Sequence, residues 1–144
     1  FALLLWAAFM IGGHIMGTEA IYSEIGRLRA INALALTAVS VSLAFLIGQF
    51  VRKTLTLTGV VQTLALGLAF ISGVFVPQEL LADGVLAAAR FTPTYWYVRS
   101  NDMLNASVNA DMDIFLQGTL IQLGFAIALF AIALVLGREK RAKG

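Results

Sequence analysis

The residues able to do chemistry are few, and their spacing is unhelpful to most reactions. One histidine, His14, sits in Gly12-Gly-His-Ile-Met-Gly17 with no acidic residue inside an apolar stretch to pair with it. An ionisable group within a membrane span is a functional candidate by default. Near the end of its segment and without a partner, His14 reads as a packing or interfacial residue. No cysteine is present, which removes disulfides, thiolate nucleophiles and Cys-based metal sites. A single histidine cannot build a His-rich metal site. The chain holds no GxSxG elbow, HExxH helix, phosphate-cradling loop or GxGxxG turn. Gln49, Gln62, Gln117 and Gln122 fall within apolar stretches. In hydrocarbon an amide needs a partner, so these bond between helices or line a polar path. Gln117 and Gln122 are five residues apart, about 140° around a helix, so one face does not hold both neatly.

The elements that must position these groups are set by where charge is absent. Sixty per cent of the 144 residues are apolar, 12 per cent are charged, and mean hydropathy is +0.88. A soluble domain is nearer half apolar and a quarter charged. The composition is that of an integral membrane protein and excludes a soluble enzyme, a disulfide-stapled module and a disordered tail. Phe1 to Thr18 carries no charge, nor do Ala30–Val51, Thr54–Gln78 and Ile114–Gly137, which are 22, 25 and 24 residues long. At 1.5 Å per residue each of the last three reaches about 33 Å or more, enough to cross a core of about 30 Å. Helix is expected in each, because lipid cannot satisfy open backbone groups. The expected fold is an all-α membrane protein of one domain. It has four transmembrane helices, at about 1–18, 30–51, 54–78 and 114–137, and a re-entrant or interfacial helical segment at 79–98 between the last two. The chain begins at Phe1 rather than Met and is expected to be a fragment or processed product. It shows no basic n-region or small-residue cleavage site typical of a signal peptide.

Basic residues set the expected orientation. Arg52-Lys53 and the tail 138–144 hold six Lys or Arg in nine positions. Segments 19–29 and 79–113 hold four, Arg27, Arg29, Arg90 and Arg99, in 46 positions. By the positive-inside rule the first set, with the C-terminus, is cytoplasmic. The tail reads as a topological anchor, and no nucleic-acid partner is expected. Glu79 to Arg90 reads as a short amphipathic helix with Leu80, Leu81, Val85 and Leu86 on one side. Tyr95, Trp96 and Tyr97 suit a membrane–water interface. Asn101–Asp113 is polar and reads as a loop. Small-residue stripes at Ser40, Ala44 and Gly48, and at Ala65, Ala69 and Gly73, suit close helix packing, as does the Gly13–Gly17 pair.

Two blocks carry a family resemblance. Phe70-Ile-Ser-Gly-Val-Phe-Val-Pro77 with Gln78-Glu-Leu-Leu81, and Phe91-Thr-Pro-Thr-Tyr-Trp-Tyr-Val98, resemble the end of the fifth membrane helix and the following block in ABC-2 type transporter permeases. There a pair of short re-entrant helices separates the fifth and sixth spans. The resemblance implies that this chain is the C-terminal portion of such a permease, its spans matching the family's third to sixth. It implies a pathway-forming subunit of an ATP-binding cassette exporter in the plasma (bacterial inner) membrane. Such a subunit pairs with a second permease copy, alike or different, and with a separate ATPase subunit. No catalytic residue or cofactor of its own is implied, since ATP is used by the partner. Phe70, Ser72, Gly73, Pro77, Pro93, Tyr95 and Trp96 would form the outer re-entrant and gate region. Gln117 and Gln122 remain candidates for the pathway or for interhelical bonding. The rival readings are a small helical scaffold or assembly subunit and, less well matched, a membrane-embedded enzyme, which would need paired reactive groups at one depth.

Overall fold

A computed structural model describes residues 4, 6–8, 11, 23–51, 53–106 and 112–142, without the side chains of 105, 106 and 139–142. Among them are five α-helices and no strand: α1 (Glu24–Gly48), α2 (Thr54–Ser72), α3 (Asp83–Ala89), α4 (Pro93–Ala106) and α5 (Met112–Ala142), with a 3-10 turn at Gln78–Leu80. Three of these are long and apolar enough to cross a membrane: α1, α2 and Met112–Arg138 within α5. The expected first span, 1–18, lies largely outside the described residues. Leu4, Trp6–Ala8 and Ile11 are helical, and Trp6 Nε1 donates to the Ala30 carbonyl at 3.3 Å. His14, Gly13 and Gly17 also lie outside the description.

Helix boundaries follow local chemistry rather than the limits of the charge-free stretches. α1 starts six residues before Ala30 because Ser23, in extended conformation, caps it by accepting from the Gly26 N–H at 3.0 Å. α2 ends at Ser72, not 78, because Gly73 takes φ +98° and its N–H returns to the Ala69 carbonyl. That left-handed turn is open to glycine at little cost. α5 runs through Arg138 to Ala142, so the backbone of the basic tail is helical to that point.

α1 and α5 form the principal contact and run parallel. Gln122 meets Asn32, the Phe45 and Phe130 rings lie 5.6 Å apart, and Gly137 faces Gln49. These contacts advance together along both helices. Val39 and Ala35 of α1 and Ala126 and Ala133 of α5 are buried between them. α2 turns back from α1 through residues 49–53 and touches α1 little; its fuller contacts are with α3 and α4. α4 packs against α5 and α1.

In the 79–98 segment the single amphipathic helix expected over Glu79–Arg90 is interrupted, and α3 is followed by the first turns of α4. The chain breaks at Leu81–Ala82, so Leu80 and Leu86 no longer share a face. Leu80 is 76 % exposed, and Ala89 is the buried residue of α3. Phe91 and Thr92 donate back to the Ala88 and Ala89 carbonyls, and Pro93 opens α4 at a first-turn position where no N–H is needed. α4 then continues through residues 101–106, which were expected to be loop. The small-residue stripes also differ from expectation. Ser40, Gly48 and Ala65 are exposed, and the inward face of α1 is Asn32, Ala35, Val39, Ser42 and Ile47.

Candidate functional site

The candidate residues converge where α2 ends, at the end of the bundle that carries the α3–α4 hairpin. Gly73 reverses the chain after α2, and a Cβ on it would collide with Gln78 Cγ. Gln78 occupies that space. Its Nε2 donates to the Ser72 carbonyl at 2.8 Å and to the Tyr95 carbonyl at 3.2 Å. One amide thus ties the last turn of α2 to the first turn of α4. Ser72 is fully buried and its hydroxyl donates back to the Leu68 carbonyl. Tyr95 is buried, and its hydroxyl accepts from Arg99 Nη1 at 3.0 Å. The Arg99 guanidinium also lies 5.9 Å from the centre of the Trp96 ring, which meets Tyr95 edge to face at 5.3 Å. Trp96 Nε1 donates to the Arg90 carbonyl at 2.9 Å, closing the hairpin.

Of the sequence-selected residues, Ser72, Gly73 and Tyr95 meet through Gln78. Pro77 precedes the 3-10 turn, Pro93 starts α4 and Trp96 closes the hairpin. Phe70 is not drawn in: it is 55 % exposed and stacks obliquely on Phe75 with centroids 4.7 Å apart. Tyr95 is buried within the bundle. Gln78 and Arg99, which hold the arrangement, were not singled out. A glutamine directly after a Gly-x-x-x-Pro exit was the available signal.

A second polar centre lies deeper. Gln122 is fully buried; its Nε2 donates to Asn32 Oδ1 at 2.7 Å and to the Gly118 carbonyl at 3.2 Å. Asn32, also fully buried, donates through Nδ2 to the Tyr97 carbonyl at 3.0 Å. The chain of amides joins α5, α1 and α4. Gln117, by contrast, is exposed. The angular separation of the two glutamines therefore divides them between bundle and exterior. Gly118 makes the α4–α5 approach possible. A Cβ there would strike Ser100 Oγ and come within 3.2 Å of the Trp96 carbonyl.

Beside the hairpin lies an open cleft of about 670 Å³, lined in part by Gly73, Gln78, Glu79, Arg99 and Asp102. Partial burial, and then the charge of Glu79, push the Asp102 carboxyl above the usual carboxylate range. Among the described residues no three His, Cys, Asp or Glu side chains converge as a metal site would need. The arrangement couples the last turn of α2 to the first turn of α4. Comparisons of the chain with protein-family models, with curated proteins and with solved structures find no match.

Proposed function

We propose that this chain is the C-terminal part of the membrane domain of an ABC-2 type permease, a pathway-forming subunit of an exporter driven by a separate ATPase. In this reading α1, α2 and α5 are the last three of four spans, and the α3–α4 hairpin is the re-entrant element on the outer side. The C-terminus faces the cytoplasm, and a second permease copy completes the pathway. One observation supports it above the rest: the depth at which α4 is held. Its contacts reach Asn32 on α1 and Gly118 on α5. Along α5, Gly118 lies five residues beyond Asp113, about 7 Å further into the apolar stretch. A polar helix at such depth is tolerated where protein surrounds it, and α4 is wrapped by α1 and α5 and tied to the end of α2. A scaffold subunit would account for the exposed face of α2 equally well but gives the hairpin no role.

The test uses the full-length permease reconstituted into substrate-loaded vesicles with and without its ATPase subunit. Efflux should require ATP and that subunit, and the two should co-purify. ATP hydrolysis by purified permease alone, or full-rate transport without the partner, would replace this reading with a different class of carrier.

A further inference from the structure

The cleft beside the hairpin combines features that the gate reading does not use. Arg99 and two carboxylates, Glu79 and Asp102, line it together with apolar Val74, Phe75 and Met103. Arg99 is held in place by the Tyr95 hydroxyl and the Trp96 face, and it keeps guanidinium donors to spare. It does not relieve the acidic pair: among the described residues no ion pair joins it to Glu79 or Asp102. Two like charges therefore face one space, near enough for Glu79 to act on the Asp102 carboxyl, and a fixed cation stands at the same wall. Val74 and Phe75 are 50 % and 56 % exposed just after the last turn of α2 at Ser72, and Phe75 packs on Phe70 of that helix. The cleft thus opens where a membrane-crossing helix ends, the level at which lipid headgroups lie.

We propose that this cleft binds the ammonium–phosphate headgroup of a phosphatidylethanolamine, with the ammonium between Glu79 and Asp102, the phosphate on Arg99, and the upper acyl chains against Val74 and Phe75. An ammonium that can donate hydrogen bonds suits two carboxylates better than a trimethylated one, which donates none. Arg99 supplies the planar fork that phosphate oxygens accept. The assignment rests on the membrane placement of the three apolar helices and not on the transporter reading, so either can fail alone.

The chain has two tryptophans, so Trp6→Phe leaves Trp96, beside Arg99, as the only tryptophan, excited selectively over the tyrosines. The protein is placed in phosphatidylcholine vesicles carrying a minor fraction of acyl-brominated phosphatidylethanolamine or acyl-brominated phosphatidylcholine. Half-quenching should need about threefold less of the ethanolamine lipid, the size expected of partly exposed charge pairs. Glu79→Gln with Asp102→Asn should abolish the preference, and Arg99→Gln should independently weaken it, with circular dichroism unchanged in each. Soluble O-phosphoethanolamine should relieve the ethanolamine-specific quenching. Equal quenching by the two lipids would overturn the assignment, as would a preference that survives the double carboxylate substitution or one that the soluble headgroup leaves untouched.

Discussion

α2 and α4 invert the usual relation between composition and burial. α2 carries no charge along its 19 residues, yet none of residues 54–71 is buried. α4 carries Arg99, Ser100, Asn101 and Asp102 in succession, yet Tyr95, Val98, Ser100 and Leu104 are buried. In water this would be a misfolded protein. In a bilayer it is the expected arrangement, because apolar side chains gain nothing by leaving lipid for protein, whereas polar groups must find partners. The core here is organised by amides and backbone carbonyls, and the charge-free α2 is left to face its surroundings.

The sharpest way to break this contrast is to place the same bulk on each side of it. Gly118→Leu forces a side chain into Ser100 and the Trp96 carbonyl. It should lower stability in detergent by about 3 kcal/mol, near the upper end of overpacking effects. Gly67→Leu, on α2, meets nothing within 4 Å and should stay within about 0.5 kcal/mol, as exposed substitutions do. Equal losses at the two sites, read by denaturant titration of the purified chain, would mean that α2 is as enclosed as α4.

A smaller effect tests whether amides organise the interior. Gln122→Leu leaves Asn32 Oδ1 without its donor and should cost about 1–2 kcal/mol, the range for an orphaned buried acceptor. Adding Asn32→Leu should cost less than the sum of the two single changes. Strict additivity in that double-mutant cycle would show that the two amides do not cooperate.

The smallest effect concerns the rim of α4. Asp102 has a folded-state carboxyl raised by burial and by Glu79. Folding therefore favours its protonated form. The resulting penalty is fully present above the raised folded value and disappears as pH falls below the ordinary carboxylate value. Asp102→Asn should raise the melting temperature slightly at neutral pH, and the gain should shrink on acidification. A gain independent of pH would point to packing instead.

Much of this was legible in the chain. Three long charge-free stretches gave three long helices because backbone chemistry leaves few alternatives at such length and hydropathy. The spacing of Gln117 and Gln122 was enough to say that one face could not serve both. What the sequence hid was long-range pairing. Asn32 stands two residues inside an apolar stretch and has no special neighbours; its importance comes from Gln122, 90 positions away. The stripe of Ser40, Ala44 and Gly48 looked like an interface because small-residue spacing is common. Only the position of α5 decides which face of α1 is covered. The extension of α4 through Asn101 was missed because polar composition argued for a loop, while contacts from α1 and α5 supply the partners that a free segment would lack.

The parallel pairing of α1 with α5 sets a timetable for biogenesis. The partner of Asn32 is made only after some 90 further residues have left the ribosome. At typical synthesis rates that is a delay of roughly 5–20 seconds. During that interval α1 and α2 are in or near the bilayer with the deepest amide of α1 unpaired and with α4 not yet wedged beside it. A nascent chain halted before Met112 should therefore remain open to insertion-site chaperones and membrane proteases, and release of the last helix should end that exposure in a single closing step.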